Sequence, residues 1–269
     1  MMDYRVTRIK RGSYFEMDKS HVHDFYEIYY LISGTRRYFI NDSIYTINKG
    51  DIVVIPEGTI HRTTYNNEKV HERMDCKFDR NYIDDIPEAK SAFMSLFVGS
   101  PVLSLHSAHR EYVERILNNI RSEYENPDEF SADNARALIH QLIICLTRLK
   151  KMQGTNVQND LDDSLIQEAA RYIRANYSSP LTLEAVAKHI NISPTYFSKK
   201  FKAATGFGYR EYLVNVRLQE AARLLLETKL SITEIALKCG FNDSNYFGDV
   251  FRRAKGISPM SYRKNNKFY

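Results

Sequence analysis

The chain has 269 residues, 43% of them hydrophobic and 26% charged, with three cysteines and no tryptophan. This length and balance suit a soluble protein of two ordinary domains and exclude a disordered or collagen-like chain. No segment is long and apolar enough to span a bilayer, Met1–Gly12 lacks the apolar core of a signal peptide, and Cys76, Cys145 and Cys239 lack CxxC spacing. A cytoplasmic protein with buried thiols and no membrane partner is therefore expected.

The net charge of +5 is unevenly placed: residues Asp163–Tyr269 carry 17 Lys and Arg against 9 Asp and Glu, a net +8, and the remainder is −3. A basic C-terminal part predicts a polyanionic partner at that end only.

In chain order, the first hundred or so residues read as short strands. Phe25–Ile32 is rich in aromatic and β-branched residues and stops at Gly34. Arg36–Ile40 follows, then a turn at Asn41-Asp42, Ser43–Ile47, a second turn at Lys49-Gly50-Asp51, and Ile52–Ile55 before Pro56. Strands at such regular spacing predict a sandwich or barrel. Upstream, Arg5, Arg8, Lys10 and Arg11 read as a basic arm able to fold over a pocket.

From about Ala108 the apolar period changes to that of helices. Tyr112, Ile116, Leu117 and Ile120 form one face. Leu138, Leu142, Cys145, Leu146 and Leu149 form another, in a helix from about Ala132 to Met152. These two helices either cover the barrel or pair with a second copy, and a homodimer is expected. The stretch after Met152 is polar and unpatterned. The expected boundaries are therefore an effector-binding and dimerisation domain over 1–152, a linker over 153–162 and an all-α domain over 163–269.

The all-α part contains a degenerate repeat. Leu183, Val186, Ala187 and Asn191 match Ile232, Ile235, Ala236 and Gly240. After one inserted residue, Tyr196-Phe197, Phe201, Gly206 and Tyr212 match Tyr246-Phe247, Phe251, Gly256 and Tyr262. In each copy Thr182 or Ser231 can cap a short helix, and Ser231 with Glu234 forms a capping-box pattern. Asn191 and Gly240 stand at the helix exit, where a positive φ is tolerated. Ser193-Pro194 or Asp243 then opens a second helix, pinned by phenylalanines four residues apart. Its other face carries Thr195, Ser198, Lys199 and Lys202 in the first copy, and Ser244, Asn245, Gly248, Asp249, Arg252 and Arg253 in the second. A short helix, a tight turn and a second helix with a polar, basic outer face is the helix-turn-helix design for reading double-stranded DNA. A repeat serving protein contacts alone would leave the basic bias of these faces unexplained.

Residues from about 165 to 265 resemble the DNA-binding domain of AraC/XylS transcription regulators. The resemblance is carried most specifically by Ile232-Thr233-Glu234-Ile235-Ala236, Cys239-Gly240-Phe241, Tyr246-Phe247, Phe251-Arg252-Arg253, Gly256-Ile257-Ser258-Pro259 and Tyr262-Arg263. It implies a long helix joining the two motifs, which Glu211–Glu227 fits. It also implies that Thr195, Ser198, Lys199, Ser244, Asn245 and Asp249 face the bases. RNA polymerase is a candidate partner. The family often has a basic residue where Asp249 stands.

Upstream, His21-x-His23-x3-Glu27-x6-Gly34 and Gly50-x5-Pro56-x-Gly58-x2-His61 resemble the two cupin motifs, with Tyr65 standing where the pattern has Asn. The resemblance implies an α+β multidomain protein with an N-terminal cupin-like β-barrel. Positions 21, 23 and 27 share one face of an extended strand. With His61 on a facing strand, three imidazoles and a carboxylate would converge. They would serve as a polar effector pocket that requires no cofactor, or as a site for a divalent transition metal. The expected effector is a sugar or similar metabolite. A cupin enzyme and an effector-free activator are the alternative readings, and the fused DNA-binding part weighs against the enzyme.

Overall fold

The computed structural model describes residues 4–12, 22–65, 70–84, 87–153 and 164–265. Its N-terminal strands are β1 (Tyr4–Arg11), β2 (Tyr26–Ser33), β3 (Thr35–Ile40), β4 (Ser43–Asn48), β5 (Asp51–Ile55), β6 (His61–Tyr65), β7 (His71–Phe78) and, after two short helices α1 (Asn81–Asp84) and α2 (Pro87–Met94), β8 (Val102–Ser104). They form a five-stranded sheet in the order β1-β7-β2-β5-β8 and a three-stranded sheet in the order β4-β3-β6. The β-rich domain expected from the sequence is present, as two sheets rather than one closed ring. The reason lies in the pairing: β2 uses its edges on β5 and β7, and β3 uses its own on β4 and β6, so no ladder joins β2 to β3.

Alternation along β2 divides two cores. Tyr26, Ile28 and Tyr30 face α3 (Ser107–Glu125) and α4 (Ser131–Gln153), whose stripes Val113, Ile116, Leu117, Ile120 and Ile139, Leu142, Ile143, Leu146 complete that core. Tyr29 and Leu31 face the three-stranded sheet and pack with Tyr38, Ile40, Ile47, Val53 and Ile55. The apolar stripes of both helices are thus spent on covering the five-stranded sheet. The basic arm expected near the N-terminus is corrected: residues Tyr4–Arg11 form β1, antiparallel to β7, with Val6 buried and Arg5, Arg8 and Lys10 exposed. A charged, twisting edge strand is a common protection against edge pairing, and its charge hid its alternation.

The C-terminal part is helical: α5 (Ser164–Ala175), α6 (Leu183–His189), α7 (Pro194–Thr205), α8 (Tyr209–Glu227), α9 (Ile232–Lys238), α10 (Ser244–Lys255) and α11 (Pro259–Asn265). The expected linker falls, after Gln153, outside the described residues. Two cores occupy this part. The first joins α5, α6, α7 and the buried residues of α8 as far as Val216; the second takes the buried residues of α8 from Leu218, with α9 and α10.

The sheets and the helical part touch through several specific contacts. Phe39, Ile44 and Ile60 join the first helical core. Tyr212 Oη donates to Asn41 O (2.5 Å), Gln219 Nε2 to Gly58 O (2.5 Å), and Arg62 Nη1 to Lys202 O and Ala203 O at the end of α7 (3.3 and 3.2 Å). Lys255 Nζ pairs with Asp24 at 2.5 Å. Because β6 alternates, His61 points between the sheets while its neighbour Arg62 points to α7.

His71, at the start of β7, is buried; desolvation, with repulsion from Arg36, Arg73 and Arg11, holds it down to about 4 from 6.5. Between those values the unfolded chain binds a proton that the folded chain does not, so stability falls as pH drops through this window. His71→Gln is expected to flatten that acid limb in thermal unfolding measured from pH 7 down to 4; slopes identical to those of the parent protein would contradict it.

Candidate functional site

Both second helices of the repeat are built as the sequence implies. Ser193 caps α7, its hydroxyl accepting from Tyr196 N (3.3 Å), with Pro194 at the first turn. Asp243 caps α10, its carboxylate accepting from Asn245 N (2.8 Å). Upstream, Thr182 caps α6, and Ser231 with Glu234 completes the capping box of α9. Asn191 and Gly240 have φ of 55° and 81°, so the turns between the paired helices take the left-handed conformation that Asn and Gly tolerate.

Phe197, Phe201, Phe247 and Phe251 are fully buried, which orients the opposite faces of α7 and α10 to solvent. Thr195, Lys199 and Lys202 are exposed and Ser198 is half-buried; Asn245, Asp249, Arg252 and Arg253 are exposed and Ser244 is half-buried. Two residues with no role assigned from the sequence stand with them. Tyr196 and Tyr246 occupy equivalent positions and are 52% and 51% exposed. The Lys200 ammonium lies 5.8 Å from the centre of the Tyr196 ring. The signal for this pair was the Tyr-Phe dipeptide in both copies, since only the Phe is needed for burial. These faces present hydroxyl, amide, ammonium, guanidinium and phenol groups, which suit base edges and phosphates. Asp249 alone among them is an acceptor only.

Between the sheets, Glu27 of β2 and His61 of β6 face one another across the two sheets, and His23 reaches them from the segment before β2. One ligand atom of each lies within 4.8 Å of the others. His23 therefore arrives through the bend at Asp24-Phe25, not by strand parity, and His21 lies outside the described residues. His23 Nδ1 is 2.9 Å from Phe25 O and its Nε2 3.0 Å from Glu27 Oε2; His61 Nδ1 is 2.9 Å from Thr59 O. Lys77 Nζ lies 3.6 Å from the same Glu27 oxygen. Burial opposes the Glu27 charge, but the His23 hydrogen bond and Lys77 outweigh it and hold the carboxyl below the usual range. Burial pushes Asp75 up, further than its partner Arg73 draws it down.

The donor set fits a divalent cation: each Nδ1 is held by a backbone carbonyl, the outer-shell arrangement that directs Nε2 to a metal. It also closes without one, because both His23 ring nitrogens lie within hydrogen-bond distance of protein oxygens, Phe25 O and Glu27 Oε2, and Lys77 stands beside the same Glu27 oxygen. Further into this interior, Tyr29 Oη is buried with no hydrogen-bond partner among the described residues, and its ring lies 5.2 Å from that of Tyr38 and 5.3 Å from the Arg73 guanidinium. Arg36 and Asp75 are buried in the same region. This second layer of polar groups has no clear signature in the sequence. Asp75 and Arg73 lie on β7, whose charged residues mask its alternation.

Among the described residues no helix is long and apolar enough to cross a membrane. The family description "AraC-like ligand binding domain" matches residues 6–170, and "Helix-turn-helix domain" matches residues 186–265. The chain is 26% identical over 246 residues to the HTH-type transcriptional activator RhaR of Escherichia coli O139:H28 (strain E24377A / ETEC), covering 91% of this chain and 87% of that protein. Among solved structures, the C-terminal domain of AraT, a response regulator from Geobacillus stearothermophilus, is 37% identical, over 39% of this chain and 88% of that one, at a TM-score of 0.38. The DNA-binding domain of the global transcriptional factor AdpA, solved with a target DNA, is 28% identical over 36% of this chain and 88% of that one, at a TM-score of 0.36. The chain belongs to the AraC-type family of transcription regulators, with a ligand-binding domain of two β-sheets followed by a helical DNA-binding domain that carries two helix-turn-helix motifs.

Proposed function

We propose that this regulator reads DNA with Thr195, Ser198, Lys199 and Lys202 on α7 and with Ser244, Asn245, Asp249, Arg252 and Arg253 on α10. We propose further that a polar small molecule, a sugar or similar metabolite, controls it by binding between the sheets at His21, His23, Glu27 and His61. The working divisions are 1–152 for effector binding and dimerisation, 153–162 for the linker and 163–269 for DNA binding. The chain acts in the cytoplasm, with RNA polymerase as a downstream partner and without catalysis of its own.

The observation that carries the effector reading is the buried Tyr29 hydroxyl, without a hydrogen-bond partner among the described residues, in the same interior as the His23, Glu27 and His61 cluster. A buried donor without an acceptor is costly, and a ligand oxygen at that position would offset the cost. The mixed lining of aromatic rings, imidazoles and carboxylates suits a polyol, whose ring faces stack and whose hydroxyls both donate and accept. Thermal-shift measurements on the full chain against a panel of monosaccharides, polyols and sugar acids test this. At least one compound is expected to raise the melting temperature, and Tyr29→Phe to abolish that shift while leaving the ligand-free protein as stable or up to about 1 kcal/mol more stable. A ligand-free loss above about 2 kcal/mol would show that the hydroxyl is structural. About one equivalent of a transition metal in purified protein, removed by His23→Ala, would reassign the cluster to metal binding.

On DNA, Lys199 donates as guanine O6 and N7 require, whereas Asp249 can only accept, as from cytosine N4, and repels phosphate. Lys199→Ala is expected to weaken specific binding by about 1–3 kcal/mol at fixed salt. Asp249→Ala should leave affinity unchanged or raise it, with loss of discrimination at one position. Fluorescence anisotropy on a selected duplex measures both, and the reverse pattern would overturn the assignment.

A homodimer would use the outward face of α4, where Ile144 and Met152 are exposed, since the inward stripes are occupied by the sheet. Sedimentation at micromolar concentration is expected to show a dimer; a strict monomer rejects it.

A further inference from the structure

We propose that Arg217 is a positioning residue that sets the rotational register between the two recognition helices, and so the spacing of the two DNA elements the protein accepts. The two motifs have separate cores, and α8 belongs to both. Val216 is the last fully buried α8 residue of the first core and Leu218 the first fully buried one of the second, with the partly buried Val214 also packed on the second. Arg217 stands between them, at the point where the helix passes from one body to the other. The hydrogen-bonded helix fixes the distance between the two bodies, and a side chain that bridges them beside it adds to the hold on their relative rotation.

Arg217 is such a brace. Its Nε donates to Tyr177 O (2.8 Å) and its Nη2 to Ser179 O (3.0 Å), both in the turn between α5 and α6 of the first motif. Its guanidinium also lies 5.8 Å from the centre of the Phe241 ring, which belongs to the core of the second motif. One planar group thus grips two carbonyls of one motif and a ring of the other, a geometry that a lysine ammonium cannot reproduce. The surfaces it joins are in close contact. A Cβ at Gly240, in the turn of the second motif, would stand 2.8 Å from Ser178 O and 2.9 Å from Tyr177 O. Phe241 also packs on Tyr246 of α10, with ring centres 6.3 Å apart, so the brace reaches the recognition helix through one intervening ring.

One base pair added between two DNA elements turns one against the other by about 34° and moves it by about 3.4 Å. A braced pair of motifs cannot follow that change, whereas an unbraced pair can twist to meet it. A simple phosphate contact by Arg217 would instead lower affinity equally for every spacing.

The test uses the full chain and a site selected from a randomised duplex library, together with derivatives carrying one base pair added or removed between the two halves. The parent protein is expected to lose at least about tenfold in affinity on either change. R217A is expected to lose no more than about threefold while keeping the parent's response to base substitutions inside each half. R217K, which keeps the charge but not the fork, should fall between them. A folded R217A with the parent's spacing penalty overturns the proposal, as does an equal loss of spacing and base discrimination. Where R217A fails to fold, R217K decides: a relaxed spacing penalty supports the brace, and the parent's penalty overturns it.

Discussion

Helix α8 is the constraint on which the rest of the molecule depends, because three packed bodies share it. Its first half closes the core of one helix-turn-helix motif, and its second half opens the core of the other. From the same helix, Tyr212 and Gln219 donate to Asn41 and Gly58 of the ligand-binding domain. Nineteen residues of α-helix measure about 28 Å, close to the roughly 34 Å that separates successive major-groove faces on one side of a duplex. The helix is therefore a spacer of suitable length, and its side chains decide how each body is turned upon it.

The ligand-binding domain meets this assembly at places that bear on control. Arg62 donates to the carbonyls that end α7, and Lys255 of α10 pairs with Asp24, so both recognition helices are touched at their C-terminal ends. Arg62 follows His61 on β6, and a strand turns successive residues to opposite faces. On the proposed effector site, a movement of β6 that followed a ligand at His61 would reach Arg62 within one residue. For that movement to regulate, the ligand must bind the docked and undocked arrangements with different affinity.

Much of this was legible in the sequence where one residue type answers one local demand. Ser193, Ser231 and Asp243 cap helices because their oxygens accept from the first free backbone N–H groups, and Asn191 and Gly240 mark turns because they tolerate positive φ. The repeat and its buried phenylalanines followed from spacing alone. The convergence of His23, Glu27 and His61 was anticipated, although His23 reaches the others through a bend and not along a strand. Strands β1 and β7 were not legible, because buried or edge-placed charges (Arg8, Arg73, Asp75) interrupt the alternation by which strands are recognised. Arg217 and Arg62 were not legible either: each binds backbone carbonyls, which carry no residue-specific signal, and on a helix or strand each reads as an ordinary solvated cation.

On the proposed function, one chain reads two major-groove segments on a single face of the duplex through two motifs held one turn apart. Hydroxyl-radical footprinting of the full chain on a selected site, at single-nucleotide resolution, tests this most directly. Two protected segments on the same face, about 10 base pairs from centre to centre for each bound chain, are expected. Protection of a single segment, or of two segments on opposite faces, would contradict it.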